Sequence, residues 1–220
     1  MKFRSILIQT GTLFFLFFFI PQLSAAENDW EFWNNYSARW NMTENWRAAV
    51  GAEFKFDEDM TNHYYSHADA GVDGRLAKWF RLGINYRYIK EDSGSGWRKE
   101  QRPYFTGTFL WNWGEVRWSN RNRLEYRDRE GRDNTWRYRN RTQANLPQQW
   151  TRFRIQPYLS AEFLYQFVNS NWNQYRLRAG LESRLTELLQ MNLYYMLRGR
   201  ESGDDWDNTN ILGLNLRLAF

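Results

Sequence analysis

Hydrophobic and polar side chains alternate along most of this chain, from Asp29 to the last residue. The clearest example is the C-terminal segment, where Asn215 and Arg217 lie opposite a stripe made of Leu212, Leu214, Leu216, Leu218 and Phe220. Alternation with a period of two indicates a β-strand whose two faces meet different surroundings, and here it recurs in segments of roughly 11 to 15 residues. Short polar turns separate these segments. The pattern therefore predicts an all-β chain.

The length of the segments favours strands that cross a membrane. Strands of soluble proteins usually have about 3–10 residues, whereas transmembrane strands take about 9–11 and alternate throughout. Tryptophans flank the turns at both ends of the segments, as in the two aromatic belts of membrane β-barrels. They are Trp40, Trp46, Trp79, Trp111, Trp113 and Trp150 beside tight turns, and Trp97, Trp136, Trp172 and Trp206 beside looser loops. We expect a single antiparallel, up-and-down transmembrane β-barrel with short loops.

The number of strands follows less directly from the pattern. Eleven segments alternate, but bacterial single-chain barrels have even numbers of strands. We therefore expect about 10–12 strands and prefer twelve; ten strands result if the segment from Trp30 to Trp40 is not part of the wall. Tight turns near Lys78, Gly114, Gln148 and Thr186 alternate with longer polar loops, which predicts short turns at one end of the barrel.

Two prolines, Pro103 and Pro157, interrupt predicted strands. Proline cannot donate a hydrogen bond to a neighbouring strand, and a closed barrel has no edge strand to hold it. We therefore expect β-bulges at these positions.

The N-terminal residues have the pattern of a secretory signal peptide. Lys2 and Arg4 precede a mostly apolar run that ends before Pro21, and the small residues Ser24-Ala25-Ala26 follow. The run is shorter than the ~20 apolar residues that a spanning helix needs. We expect residues 1–26 to be the signal peptide and residues 27–220 to be an outer-membrane β-barrel of a Gram-negative bacterium.

Several short motifs make most of the mature chain similar to a known family. They are Asn85-Tyr86-Arg87-Tyr88, Arg123-Leu124-Glu125-Tyr126-Arg127, Pro157-Tyr158-Leu159-Ser160-Ala161-Glu162-Phe163 and Arg176-Leu177-Arg178-Ala179-Gly180. The chain resembles the outer-membrane family catalogued as domain of unknown function 2490. That family carries no catalytic residues to transfer. The terminal Phe220 also resembles the assembly signal that the barrel-assembly machinery of the outer membrane reads.

Composition changes this picture mainly on the polar side of the strands. The chain has a formal net charge of +5, no cysteine, and 13 Trp, 13 Tyr and 16 Phe, too many aromatic residues for a disordered protein. Arginine dominates the face that we assign to the lumen, and planar guanidinium groups pair well with carboxylates on neighbouring strands. The predicted lumen-lining charges are Arg117, Arg121, Arg123, Glu125, Arg137, Arg139, Arg141, Arg152, Arg154, Glu162, Arg176, Arg178, Glu182 and Arg198.

Two interpretations of this arginine-rich lumen stay open. The first, which we favour, is a structural or narrow passive barrel filled by Arg–Glu ion pairs, because the loops are too short to build an entrance. The second is an anion-selective pore, or a barrel that binds small anions or lipid headgroups, because arginines outnumber glutamates on this face. The expected partners are outer-membrane lipid including lipopolysaccharide, the barrel-assembly machinery, periplasmic chaperones in transit and, under the second interpretation, small anions. A signal peptide argues against nucleic acid as a partner.

Catalysis is a third and weaker interpretation. His63 and His67 are the only side chains whose ordinary pKa suits proton transfer at neutral pH. His67 shares the polar face with Asp69, and Glu53 is expected beside it, but no serine lies two residues away on that face. A lipid- or peptide-acting enzyme at the barrel rim is therefore the least favoured alternative. Without cysteine or a third histidine we expect no metal site and no cofactor.

Overall fold

The structure is a computed structural model that describes residues 30–147, 152–203 and 205–220. The predicted signal peptide, residues 1–26, lies outside the described residues, as do Gln148 and Trp150 of one expected turn. No helix within the described ranges is long and apolar enough to cross a membrane.

The described residues form eleven β-strands, each of 11 to 17 residues. They correspond one to one with the eleven alternating segments of the sequence. The strands are β1 (Trp30–Asn41), β2 (Trp46–Asp57), β3 (Asn62–Ala77), β4 (Phe80–Asp92), β5 (Trp97–Trp113), β6 (Val116–Arg129), β7 (Thr135–Asn145), β8 (Gln156–Gln166), β9 (Asn171–Arg184), β10 (Leu189–Ser202) and β11 (Asp205–Ala219).

The eleven strands close into one barrel in sequence order. Each strand pairs antiparallel with the next, but β1 and β11 pair in parallel, from Trp30 opposite Asn210 to Arg39 opposite Ala219. The preference for twelve strands and for a wholly antiparallel barrel is wrong, and so is the alternative of ten. In an up-and-down barrel with an odd number of strands, the first and last strands run in the same direction, so only a parallel pairing closes the ring.

The C-terminal residue takes part in this closure. The Phe220 backbone nitrogen donates to the Arg39 carbonyl oxygen at 2.9 Å, and the Asn41 backbone nitrogen donates to the Phe220 carbonyl oxygen at 3.2 Å. The rings of Phe220 and Trp40 stack with 5.9 Å between their centroids. Its predicted role as an assembly signal stays a prediction.

The two faces of the barrel wall have opposite chemistry. Outward side chains are apolar and exposed, with Ile84 62% and Leu193 50% accessible. Inward side chains include buried charges, and Glu125 is 0% accessible. A water-soluble protein has the reverse arrangement, because its apolar side chains are buried and its charges face water.

The two prolines do not lie at β-bulges, although β-bulges were expected there. The register shifts of the ladders lie at Lys55/Phe56, Arg75/Ala77 and Leu164/Tyr165, so neither proline sits at a bulge. Pro103 faces an unpaired stretch of the β5–β6 ladder, and Pro157 precedes the first β7–β8 pair. At these positions the neighbouring strand needs no backbone N–H donor, which proline lacks.

The connections also differ from the prediction. The longest one, 146–155, lies at the end of the barrel where tight turns were expected.

Candidate functional site

A row of alternating charges crosses four neighbouring strands inside the barrel. We call it the charge ladder; it runs Arg137, Glu125, Arg139, Glu162, Arg176. Its successive contacts measure 2.6 Å, 3.1 Å, 2.8 Å and 3.4 Å between guanidinium nitrogen and carboxylate oxygen. The residues meet because β6, β7, β8 and β9 are adjacent and each side chain occupies an inward position of its strand.

Each carboxylate of the charge ladder contacts several arginines and not just one. Glu125 also lies 3.3 Å from Arg123 and 3.9 Å from Arg102, and Glu162 lies 3.3 Å from Arg121. Positive charge therefore exceeds negative charge around the ladder. The expected pairing of inward arginines with carboxylates on neighbouring strands is present here, although it is not one to one.

Further ion pairs continue around the wall. They are Glu100 with Arg102 and Arg127, Asp69 with Arg87, Asp73 with Arg47, and Glu31 with Arg198. Lys55 is enclosed in a different way, since its ammonium lies 3.5 Å from the ring centroid of Trp33, 4.1 Å from that of Tyr65 and 3.3 Å from Glu53. Cation–π contacts of this kind stabilise a partly desolvated ammonium group.

The two histidines lie on opposite faces of β3. His67 is buried inside, where its ring nitrogens lie 3.9 Å from Glu53 and 3.6 Å from Asp69, as the pairing of β2 and β3 dictates. His63 lies outside, and its ring centroid is 5.3 Å from that of Phe56 and 5.2 Å from that of Trp97. They do not converge on one site. In the part of the chain that the structure describes, no three His, Cys, Asp or Glu side chains cluster as metal ligands would.

Two cavities of about 410 Å³ each occupy the lumen. The first reaches towards the end that carries Arg132 and Arg200, and the second towards the end that carries Arg154 and Arg184. The residues that line both are Arg141, Arg178, Asn215 and Arg217. The two cavities therefore meet at a junction where three of the four shared residues are arginines.

These three residues, the junction arginines (Arg141, Arg178 and Arg217), differ from the arginines of the charge ladder. Among the described residues none of them has a carboxylate oxygen within 4.0 Å, whereas Arg178 lies 4.2 Å from the ring centroid of Tyr194 and 3.5 Å from the sulfur of Met196. The strand register explains this, because Arg178 faces Ser160 and Met196, and Arg217 faces Gln190 and Ser37. Arg141 faces Glu162, whose oxygens are already bound by three other arginines.

The family model described as protein of unknown function, DUF2490, matches residues 30–209. The chain belongs to this family. The resemblance found in the sequence motifs is thereby confirmed. A search of curated proteins found no match. In this DUF2490 chain the matched range contains the charge ladder, Arg141 and Arg178, whereas Arg217 and Phe220 lie beyond it.

The DUF2490 barrel places most of the predicted lumen residues on its inner surface. Arg121, Arg123, Glu125, Arg137, Arg139, Glu162, Arg176 and Arg198 take part in ion pairs there. Arg117 donates to the side-chain oxygen of Gln156. Glu182 is held by amides instead of arginines, at 3.2 Å from Gln143, 3.2 Å from Asn145 and 3.4 Å from Asn192.

Arg152 and Arg154 do not lie on a strand. Both were predicted on an inward strand face, but β8 begins only at Gln156 and both side chains are exposed in the preceding turn, where Arg154 still lines the second cavity. In the sequence they alternate with Phe153 and Ile155, so this turn has the polar–apolar pattern of a strand. Conversely, the predicted set left out Arg217, although it occupies the polar face of the last strand. It also left out Arg87 and Arg102. Arg87 alternates with Tyr86 and Tyr88, a pattern that could have identified it as inward, whereas Arg102 stands between Gln101 and Pro103 and gives no such signal.

Proposed function

We propose that this DUF2490 chain is a bacterial outer-membrane β-barrel whose lumen binds small anions and lets them pass through a narrow constriction. The observation that carries the proposal is the group of junction arginines where the two cavities meet. Three cations without a carboxylate partner leave hydrogen-bond donors and positive charge for a ligand. Rings of arginine or lysine serve this purpose in anion pores.

The membrane part of the proposal is supported by the outer surface. Apolar side chains cover it along the strands, and tryptophans lie exposed near the strand ends, such as Trp79 and Trp113 at one end and Trp97 and Trp206 at the other. Indole rings favour the membrane–water interface, because they are apolar with one hydrogen-bond donor. The predicted signal peptide fits export to the outer membrane.

The anion part is supported by the charge balance of the larger cavity lining. Its described residues include fifteen arginines and one lysine against three glutamates. Carboxylates behind this lining, such as Glu125 and Glu100, offset part of the excess but not all of it. A positive excess in a low-dielectric enclosure raises the local concentration of anions.

A structural barrel without conductance is the second candidate, and the charge ladder favours it. Glu125 is fully buried, and Arg139 joins it to Glu162, so the ladder occupies much of the lumen between four strands. His63 and His67 lie on opposite faces of β3 and do not form one site, so neither candidate assigns a role to the pair.

Single-channel recording in planar bilayers distinguishes the two candidates. Under a potassium chloride gradient, the wild-type barrel should conduct with a reversal potential that indicates preference for chloride. The substitutions Arg141→Gln and Arg178→Gln should each lower the anion-to-cation permeability ratio roughly twofold or more, because each removes a junction charge that attracts anions. Arg152→Gln is the matched control, as its exposed side chain lines neither cavity.

A folded wild-type barrel that inserts but carries no current would refute the anion path and leave the structural barrel. Equal effects of Arg178→Gln and Arg152→Gln would refute the role of the junction arginines. Recovery of the mature chain as a soluble periplasmic monomer would refute the membrane location itself.

A further inference from the structure

Five polar side chains form a network on the outward face of β6 and β7. We call this network the amide patch; it consists of Asn120, Asn122, Tyr138, Asn140 and Thr142. The Asn120 side-chain nitrogen donates to Asn140 at 3.1 Å and to Thr142 at 2.9 Å. The Asn122 side-chain oxygen accepts from Asn140 at 2.8 Å and from the Tyr138 hydroxyl at 2.5 Å.

The amide patch occupies positions at which most of the barrel wall is apolar. It lies near the middle of both strands, and Leu124, Phe105, Phe109 and Phe163 point outward around it. Amide groups facing hydrocarbon are costly unless hydrogen-bonded, because no water is present there to bind them. The internal hydrogen bonds of the patch reduce this cost but do not remove it.

The amide patch keeps unused donors and acceptors. Asn122 has two side-chain N–H groups and donates one bond, to Asn120 at 2.8 Å. Asn140 has an oxygen that accepts one bond of a possible two. Within the described residues the Thr142 hydroxyl accepts a bond and donates none. Both kinds of hydrogen-bonding group therefore remain available on one surface.

A surface with free donors and acceptors of the same side-chain type is complementary to itself across a two-fold axis. A small residue beside the patch permits close approach of another wall, since Ala161 pairs with Thr142. Small residues and side-chain hydrogen bonds are the features that drive association inside membranes. The outward face of β5–β8 is roughly 19 Å wide and about 30 Å tall across the bilayer, so two such faces bury at most about 1,100 Å², which reaches the roughly 1,000 Å² that a specific interface needs.

We propose that a second copy of this chain docks on the amide patch, which makes the protein a dimer with β6 and β7 at its two-fold interface. The inference rests on the membrane location in the proposed function but not on anion binding. Lipid headgroups are not the occupant, because the patch lies at mid-strand, where acyl chains surround the wall.

Cysteine cross-linking tests where two copies meet. The chain has no cysteine, so single substitutions report cleanly. Ala161→Cys, beside the patch, should give a covalent dimer with a short bismaleimide in outer membranes. Leu214→Cys on β11, which also faces outward, should give none because β11 lies on the far side of the ring.

A second experiment replaces two amide side chains of the amide patch. The double variant Asn120→Val/Asn140→Val should lower the dimer fraction in proteoliposomes roughly tenfold, measured by energy transfer between labelled copies at a fixed protein-to-lipid ratio. Asn34→Val is the matched control, since it removes a single outward asparagine from β1, opposite the patch, and should leave the dimer fraction unchanged.

Equal cross-linking from Ala161→Cys and Leu214→Cys, or none from either in a barrel that inserts and folds, would overturn the dimer. So would a cross-linked product whose mass is not that of two copies. Failure of insertion would instead contradict the membrane location, and heat-modifiable migration on gels distinguishes that case from a folded monomer.

Discussion

At the scale of single residues, two inward glutamates show that the contribution of a charged side chain to stability depends on the groups around it. Glu125 is bound by four arginines, on β5, β6 and β7. Glu182 occupies a similar inward position on β9, but within the described strands its carboxylate accepts from amides, those of Gln143, Asn145 and Asn192. Removing the first leaves several cations close together, whereas removing the second leaves neutral groups that other partners can satisfy.

Glu125→Gln should therefore destabilise the folded barrel by about 3 kcal/mol or more, because buried arginines are left without their counter-charge. Glu182→Gln keeps an acceptor for the same amides and should cost only about 1 kcal/mol. Denaturant unfolding in detergent micelles, followed by tryptophan fluorescence, measures both free energies. Equal losses in the two variants would show that the charge ladder is not what stabilises the interior.

At the scale of the strand, the alternation assigns every side chain to one of two surfaces. On β9, Leu177 points outward near the middle of the strand and the next residue, Arg178, points inward to the junction. A one-residue change of register would exchange them and expose the charge to the apolar surface. The two-residue period is therefore a stringent constraint on each strand.

Leu177→Arg tests that assignment in lipid. A charge on the lipid face near the midplane of a membrane barrel costs about 2–4 kcal/mol, and near the interface about 0–1 kcal/mol. Leu189→Arg, on the same face but at the first residue of β10, is the control near the membrane interface and should be nearly neutral. Folding yield into liposomes, scored by heat-modifiable migration, measures the difference. If both variants fold equally well, the outward face does not lie in hydrocarbon.

At the scale of the whole molecule, closure of the ring depends on the parallel pairing of β1 and β11. This ladder joins residues 180 positions apart in sequence, and Phe220 extends it by hydrogen bonds with Arg39 and Asn41. No other pair of neighbouring strands in the described barrel is parallel. The closure is thus the part of the fold with the largest sequence separation.

A disulfide trap tests the closure directly. Tyr36 and Leu216 are partners in the β1–β11 ladder and both point outward, so Tyr36→Cys/Leu216→Cys should form a disulfide under mild oxidation. Tyr36→Cys/Leu212→Cys should not, because four residues of strand separate Leu212 from that position by about 13 Å. Mobility on non-reducing gels measures both. A disulfide in the second pair alone, or in neither, would contradict the parallel register.

The eleven strands and the chemistry of their two faces could be predicted, because a two-residue period is a local property of the chain. The parity argument then replaced a correct count of eleven with twelve. Arg152 and Arg154 were placed on a strand for a related reason: the alternation of the sequence extends before Gln156, where β8 begins, into a turn. Local pattern thus identifies a strand better than it identifies the strand's ends.

What the sequence by itself determined is the all-β barrel, its apolar outer face and its arginine-rich interior. Only the tertiary structure decided that β1 closes on β11 in parallel, that Glu162 has no oxygen left for Arg141, and that Asn120 and Asn140 meet on one outward surface. Each of these depends on which residues stand opposite one another in different strands. That register is set by the closure of the whole ring, so no window of the sequence contains it.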